Sequence, residues 1–337
     1  MVLTDDSVLT FRGLHEEGPG PAWDAVLALG WPGWRGWYLE RKRTERSEIT
    51  AGLRAIRRHI PAWERVWEAL VARGGGDDDL AAFLTFWSPP RYLLGCSQLA
   101  FRGADGPCLI RNYDLDPVLN EATVLSTRWS GTRVMGMVDG LAGLADGMNE
   151  HGLAVSLAFG GRAVVGRGFG APVIVRYVLE RAHNTEEAVE MLRAIPSHMA
   201  YNITVMDRAG RSATIFLSPD RPAIDAKRGY ATNHQIGVEW AQHAQMSKTV
   251  ERGERLAALD PQSTGVAQAV GAFLSGPVYS TGFRRGFGTV YTAIYDCSTL
   301  TITLVWPDGT HWSMRMGEVP SPPVLIRYAA TGALRAA

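Results

Sequence analysis

Cysteine is scarce in this chain, since only Cys96, Cys108 and Cys297 occur among 337 residues. Three cysteines make no disulfide framework, and none has the CxxC spacing typical of a structural metal site. A reducing cytoplasm is therefore the expected compartment, where a free thiol is available for chemistry. We expect neither a metal ion nor a cofactor.

Net charge is also absent, because 34 lysines and arginines balance 34 aspartates and glutamates. A balanced charge argues against a nucleic-acid partner. No apolar run has the length needed to span a bilayer, and acidic residues stand near the N-terminus where a secretory signal carries basic ones. We therefore expect a protein without a membrane segment, long enough for one large domain or two small ones.

Residues 1 to 95 differ in composition from the rest of the chain. They contain seven of the eleven tryptophans, namely Trp23, Trp31, Trp34, Trp37, Trp63, Trp67 and Trp87. Apolar residues between Ile49 and Leu70 recur at helical spacing, and Pro61 breaks that run. We predict a helical segment packed on a larger core of residues 96 to 337. The tryptophans are interpreted as core packing, with an apolar acyl pocket as the alternative.

From Cys96 onward the pattern changes to short β-rich segments. Strands, helices, strands, helices and strands follow one another, which favours a layered α+β fold with antiparallel sheets over a βαβ fold. Thr185 is the predicted N-cap of a helix that begins at Glu186, and residues 247–259 are predicted to form another helix. The glycine-rich stretch 160–170 lacks the lysine of a phosphate-binding loop and is interpreted as a loop beside an active site.

The segment from Gly95 to Asp116 is the most informative in the sequence. It predicts a β-hairpin that turns at residues 103–106 and places Cys96 at a strand end, beside Arg111 and Asp114. A guanidinium favours the thiolate form of cysteine, so this group is a candidate nucleophile site. On residue chemistry alone, Cys96 is equally well a small buried hydrophobe, and Arg111 with Asp114 an ordinary ion pair.

Four motifs in order resemble one known family. They are Gly95-Cys96, Arg111-Asn-Tyr-Asp114, Asp146-Gly-Met-Asn-Glu-His-Gly-Leu153 and Ala231-Thr-Asn-His-Gln235. Together they resemble the N-terminal-nucleophile (Ntn) hydrolases of the penicillin acyltransferase and choloylglycine hydrolase group, over about residues 90 to 310. The resemblance implies a four-layer αββα sandwich. It also implies a zymogen that cuts itself between Gly95 and Cys96 into chains of 95 and 242 residues.

The resemblance also implies roles for single residues. Cys96 would be the nucleophile, and its freed α-amino group, with a reference pKa of about 7.7–8.0, would be the general base. Asp114 would hold that amine, Arg111 would lie near the thiol and the substrate carbonyl, and Asn233 would donate to the oxyanion.

Three further residues are expected to contact substrate: Tyr113, His234 and Arg284. By the same resemblance Arg284, in the stretch Phe283-Arg284-Arg285, is suited to a substrate carboxylate. Residues 156–159 lack the asparagine that choloylglycine hydrolases place there, which makes a bile salt a less expected substrate. The residues before the junction, Tyr92-Leu93-Leu94, lack the charged residue expected before the glycine.

The implied function is an autoprocessing amidohydrolase or acyltransferase that acts on a C–N amide outside peptide chains. Its substrate would be a small-molecule amide or an acyl-CoA-type compound. Its two chains would stay together, and a homo-oligomer is possible. Two alternatives remain open: an uncut enzyme with a Cys96–His234 pair, and a non-catalytic binding protein that keeps the fold.

Overall fold

The computed structural model describes residues 7–42, 46–91, 95–259, 264–328 and 334–336. Nine α-helices lie in these ranges: α1 Pro21–Arg41, α2 Arg46–His59, α3 Trp63–Arg73, α4 Asp78–Phe83, α5 Ala171–Arg181, α6 Thr185–Ala194, α7 Ala241–Ser247, α8 Thr249–Ala257 and α9 Val266–Phe273.

The same ranges contain seventeen strands. They are β1 Ser7–Glu16, β2 Gly95–Gly103, β3 Gly106–Leu115, β4 Thr123–Thr127, β5 Val134–Asp139, β6 Gly143–Asn149, β7 Ala154–Phe159, β8 Tyr201–Met206, β9 Ser212–Leu217, β10 Ile224–Asp225, β11 Tyr230–Ala231, β12 Thr281–Gly282, β13 Phe287–Asp296, β14 Thr301–Val305, β15 His311–Arg315, β16 Val324–Tyr328 and β17 Leu334–Ala336.

The strands form two sheets. One has the order β10-β9-β8-β7-β6-β5-β4-β1-β16-β17, and the other has the order β11-β2-β3-β13-β14-β15, with β12 added beside β13. Every pair is antiparallel except β1 with β4, which run parallel. The hairpin of β2 and β3 thus lies inside the smaller sheet, so both of its strands have hydrogen-bonded neighbours on each side.

The sheets stack between two layers of helices. Strands β2 and β3 of the smaller sheet pack on β7 and β8 of the larger one. Helices α5 and α6 cover the larger sheet, and α8 and α9 cover the smaller one. The prediction of an α+β fold of two antiparallel sheets in four layers is therefore confirmed.

The N-terminal region differs in one respect from the helical prediction. Helices α1 to α4 are present, but residues 7–16 form strand β1 inside the larger sheet. Phe11 of this strand is fully buried, where its ring meets the rings of Tyr291 and Trp306 edge-on. Pairing with a strand more than a hundred residues away stabilises this segment, and local helical spacing carries no information about such a partner.

The tryptophans of the N-terminal region mostly serve packing, as predicted. Trp23 and Trp63 are fully buried, and their indole N–H groups donate to the carbonyls of Leu141 and Leu84. Within the described ranges, no helix is long and apolar enough to cross a membrane.

Two predicted helix boundaries are wrong. Asn184, not Thr185, is the N-cap of α6: its side chain accepts from the backbone N–H of Glu187. The helix predicted over residues 247–259 begins earlier and is split, because Lys248 adopts a left-handed conformation at φ 51° between α7 and α8. That break turns α8 so that its first residues face the end of β2.

Candidate active site

The pleat of the β2–β3 hairpin sorts the predicted site residues onto two faces. Alternate side chains of a strand point to opposite sides of the sheet. Cys96 and Arg111 face the larger sheet, as the hydrogen bond from Arg111 to the carbonyl of Ala145 in β6 shows. Asp114 faces the helical layer, where it meets Arg252 of α8. The predicted group is therefore assembled across the hairpin and not on one side of it.

The thiol of Cys96 is enclosed and lies against a cation. Its side chain has no exposed surface, and Nη2 of Arg111 donates to Sγ at 3.1 Å. Burial raises the pKa of the Cys96 thiol to about 11, although the Arg111 guanidinium acts against that rise. In the uncut chain the thiol is therefore protonated at neutral pH.

Arg111 is held in place by a buried carboxylate. Burial opposes its charge, yet Asp146 in contact with it keeps the pKa of Arg111 well above its ordinary value. Asp146 also accepts from the hydroxyls of Tyr291, at 2.6 Å, and Tyr295. The guanidinium lies 4.3 Å from the centre of the Tyr113 ring. Asp146 begins one of the four sequence motifs, but the motif did not predict that its carboxylate would hold Arg111.

The backbone of Cys96 is anchored by Asn233. The Cys96 N–H donates to Oδ1 of Asn233 at 3.1 Å, and Nδ2 of the same amide donates to the Phe159 carbonyl at 2.9 Å. Arg252 also donates to Oδ1, at 2.5 Å, so the oxygen of this amide accepts from two donors while its nitrogen donates to a carbonyl. The predicted donation from Asn233 to an oxyanion stays a prediction, because Nδ2 here serves Phe159.

Arg252 is a site residue that sequence reasoning missed. Its Nη1 donates to the Cys96 carbonyl at 2.8 Å and to Ser97 Oγ at 2.9 Å, and it pairs with Asp114 at 3.2 Å. The residue is fully buried, which lowers its pKa against the opposing effect of Asp114. The sequence carried a weak signal, because Arg252 falls at helical spacing between Thr249 and Leu256, two residues that are buried on one face of α8.

Asp114 is linked to the Cys96 carbonyl through Arg252. One carboxylate oxygen accepts from Thr289 Oγ1 at 2.6 Å, and the other accepts from Arg252. Burial raises the pKa of Asp114, and Arg252 acts against that rise. The predicted contact of Asp114 with the α-amine stays a prediction, since the nitrogen of Cys96 is bound by Asn233 in the uncut chain.

Of the three predicted substrate contacts, Tyr113 lies beside the thiol, because it is the cross-strand partner of Cys96. Tyr113 donates from its hydroxyl to Asp139 at 2.9 Å. His234 uses Nδ1 toward Thr249 Oγ1 at 3.0 Å, and among the described residues no hydrogen bond joins it to Cys96. Arg284 is exposed to solvent. Residues 92–94 of the junction lie outside the described ranges.

The glycine-rich loop lies beside this group. A Cβ on Gly161 would stand 2.0 Å from the carbonyl oxygen of Asn233, so the loop backbone contacts the very segment that holds Cys96. Gly161 also has a φ of +68°, which favours glycine. Among the described residues, no cluster of three histidine, cysteine or acidic side chains is arranged to hold a metal ion.

Sequence comparison identifies the group to which this arrangement belongs. The sequence model of the acyl-coenzyme A:6-aminopenicillanic acid acyl-transferase family matches residues 101–311, well over half of the chain. The chain belongs to this family. Its members are Ntn amide hydrolases and acyltransferases that act on small-molecule amide or acyl substrates, so the predicted resemblance is confirmed. The match includes Arg111, Asp114, Asn233 and Arg252 and begins after Cys96.

Solved structures with a similar arrangement are distant. A mutant of conjugated bile acid hydrolase from Clostridium perfringens is 15% identical, with 66% of this chain and 92% of that one covered and a TM-score of 0.46. Penicillin V acylase from Agrobacterium tumefaciens is 13% identical, with 72% and 98% covered and a TM-score of 0.47. At these values their substrates do not transfer to this chain. A comparison with curated proteins found no match.

This member of the acyl-transferase family also carries two neighbouring acids behind the site. Glu121 accepts from the Trp34 indole N–H at 2.8 Å and from the Leu141 N–H at 3.0 Å. Burial, and then the nearby Asp139, raise the pKa of Glu121 to about 8. Burial raises the pKa of Asp139 to about 6, against the effects of Tyr113 and Arg111. Both groups are thus easier to protonate in the folded chain than in the unfolded one.

We expect the free energy of unfolding to fall as the pH rises from about 5 to 8.5. In that window the folded chain binds more protons at Glu121 and Asp139 than the unfolded chain, whose carboxyl pKa values are about 4. Glu121→Gln keeps the acceptor for Trp34 and Leu141 but cannot ionise. The fall in melting temperature across the window should shrink by a few degrees, measured by calorimetry. An equal fall in wild type, in Glu121→Gln and in the exposed control Glu186→Gln would contradict the expectation.

Proposed function

We propose that the chain is an autoprocessing cysteine amidohydrolase or acyltransferase with Cys96 as its nucleophile. One observation supports this best: the thiol of Cys96 lies against Arg111 while its backbone N–H and carbonyl are fixed by Asn233 and Arg252. A cysteine that served only as a small hydrophobe would need none of these three contacts.

In the proposed processing step the Cys96 thiol attacks the carbonyl carbon of Gly95. A C–S bond forms, the Gly95–Cys96 amide C–N bond breaks, and the thiol proton passes to the amide nitrogen that becomes the α-amino group. Water then hydrolyses the thioester, which leaves a carboxylate on Gly95 and returns the thiol. Arg111 and the anchored backbone hold the reacting atoms in one geometry throughout.

The need for a cut follows from the protonation of the thiol. Burial raises the pKa of the Cys96 thiol to about 11 in the uncut chain, so the single attack on the adjacent Gly95 carbonyl relies on fixed geometry, whereas repeated turnover of substrate needs a general base. Cleavage supplies an α-amino group on the same residue with a reference pKa of about 7.7–8.0, close to the value that suits a general base. The Cys96 nitrogen already lies 3.1 Å from Asn233, which would then orient the amine.

The same thiol would next attack the carbonyl carbon of a substrate amide. The amine leaves with a proton, the acyl group stays on Cys96 as a thioester, and water or a second amine resolves it. Cys96 has no exposed surface in the uncut chain, so substrate access depends on movement of the residues that precede it.

The proposed chains 1–95 and 96–337 would remain associated after the cut. Strand β1 pairs with β4 on one side and β16 on the other, and Trp23 and Trp63 are buried in the common core. Burial of each large side chain contributes about 1.5–3 kcal/mol, so these contacts would favour association of the two chains after the cut.

The test is the intact mass of freshly purified wild type beside Cys96→Ala. We expect chains of 95 and 242 residues from wild type and one full-length chain from Cys96→Ala. The matched control is Cys108→Ala, which removes another buried thiol from the same hairpin and should still be cut.

The outcomes separate the competing functions. One uncut chain in wild type, with Cys96 unreactive toward p-nitrophenyl hexanoate, would refute the proposal and favour a binding protein. An uncut chain whose Cys96 is acylated by that ester would instead favour an enzyme without processing. For a cut enzyme, adding glycine as an acceptor amine shows whether the acyl group passes to water or to the amine.

A further inference from the structure

His243 in α7 is a buried polar residue with no partner. Its side chain is 3% exposed, and neither ring nitrogen has a hydrogen bond among the described residues. Burial and the nearby Arg252 lower the pKa of His243 to about 4, so the ring is neutral at physiological pH. A neutral imidazole offers one donor and one acceptor, and leaving both unused in a buried place is unfavourable.

Three aromatic rings surround His243. The ring centres of Phe159, Trp240 and Phe287 lie 5.1, 5.3 and 6.2 Å from that of His243. We call these four residues, Phe159, Trp240, His243 and Phe287, the aromatic wall. The polar side-chain atoms of the wall are the two imidazole nitrogens and the indole N–H of Trp240. An apolar lining with a few polar groups is typical of a small-ligand site.

The aromatic wall reaches the bond that the proposed processing cuts. A Cβ on Gly95 would stand 2.3 Å from the Phe287 ring, so this ring lies directly against Gly95. The thiol of Cys96 attacks the Gly95 carbonyl in processing and the acyl carbon of substrate in catalysis. The acyl group of substrate therefore takes the place of Gly95, beside the aromatic wall.

Three exposed apolar side chains lie close in sequence to members of the wall. Ile236, Val238 and Met246 are 70%, 44% and 48% exposed and lie just before Trp240 or within α7. Apolar surface of this kind, next to a buried polar group, is typical of the entrance to a ligand site.

We propose that the aromatic wall binds the acyl group of the substrate and that His243 donates to an oxygen on that group. The substrate class is then an apolar acyl chain with an ether, hydroxyl or carbonyl oxygen near the reacting carbonyl. This inference rests on the proposed function of Cys96. His243 is a specificity-determining residue in it, because it contacts the acyl group and not the reacting bond.

The test compares two acyl esters of equal length. p-Nitrophenyl hexanoate and p-nitrophenyl propoxyacetate differ only by an oxygen in place of the CH₂ group third from the carboxyl end. The first-turnover acylation rate of each ester is measured on wild type, His243→Phe and the control His198→Phe, which makes the same change at another buried histidine. For each protein we take the ratio of the propoxyacetyl rate to the hexanoyl rate. Comparing this ratio between variant and wild type cancels the difference in intrinsic reactivity between the two esters.

We expect the preference for the propoxyacetyl ester to fall about three- to tenfold in His243→Phe, as one lost hydrogen bond predicts. His198→Phe should keep the wild-type ratio. If His243→Phe fails to fold, His243→Leu removes the same nitrogens with less volume. His243→Gln, which retains a donor, should keep part of the preference.

Failure of the inference is distinguishable from failure of the proposed function. Equal ratios in wild type and in the variant at position 243, with Cys96 acylated in both, overturn the role of His243 alone. An equal loss in His198→Phe also overturns it. Absence of any acyl adduct on Cys96 refutes the proposed nucleophile, on which the inference depends.

Discussion

We expect Arg252→Met to abolish the proposed cleavage of the chain and to lower its melting temperature by about 4–7 °C. The substitution removes a buried cation and leaves the Asp114 carboxylate with Thr289 as its remaining partner. Breaking one side of a buried ion pair costs about 3–5 kcal/mol, because the other charge stays buried. The Cys96 carbonyl and Asn233 Oδ1 lose a donor at the same time, so the scissile bond is no longer held in place.

A second substitution separates the two effects. Arg252→Met with Asp114→Asn removes the uncompensated charge, so part of the lost stability should return while cleavage stays lost. Arg255→Met, at an exposed position of the same helix, should change neither quantity. Stability is measured by thermal unfolding and cleavage by intact mass. Normal cleavage in Arg252→Met would mean that Arg252 only supports the fold.

The sequence predicted the part of the fold that depends on local signals. The hairpin of β2 and β3 follows from its own alternation and from the turn at Gly103–Gly106, and its register then sets Cys96 opposite Tyr113. Strand β1 was missed because its partners, β4 and β16, come from distant parts of the chain. Spacing within a segment does not reveal which distant strand it will pair with.

The site residues also divide into those that local sequence brings together and those that come from distant parts of the chain. Cys96 pairs directly with Tyr113, and Arg111 lies two residues before Tyr113 on the same face of the hairpin. The predicted hairpin therefore brings Cys96 and Arg111 close together. Arg252 comes to the Cys96 carbonyl across 156 positions of sequence, from a helix whose start is set by the left-handed Lys248. The sequence motifs assigned Arg111 to the thiol and Arg284 to a substrate carboxylate, and no motif included Arg252, which the tertiary fold brings to Cys96.

We expect Gly95→Ala to slow the proposed cleavage of the chain by about a hundredfold. A Cβ at this position would stand 2.3 Å from the Phe287 ring and 2.9 Å from Cβ of Asp114, so the backbone of residue 95 has to shift. That shift displaces the carbonyl under attack, and a displacement of about 1 Å is enough for a hundredfold loss of rate. The rate is followed by intact mass after synthesis in a cell-free system.

A second substitution that removes the contact with the Phe287 ring tests whether displacement of the Gly95 carbonyl causes the slower cleavage. Phe287→Ala in the Gly95→Ala background removes the ring, so cleavage should recover in part, limited by the remaining contact with Asp114. Gly103→Ala is the matched control, since its Cβ would meet the Phe101 ring at 2.8 Å in the same strand, far from the scissile bond. It should lower stability without slowing cleavage. If Gly95→Ala were cut at the wild-type rate, the rate of the proposed cleavage would not depend on a fixed position of the Gly95 carbonyl at the start of β2. The anchoring of Cys96 by Asn233 and Arg252 would then have to act on the product amine, after the cut.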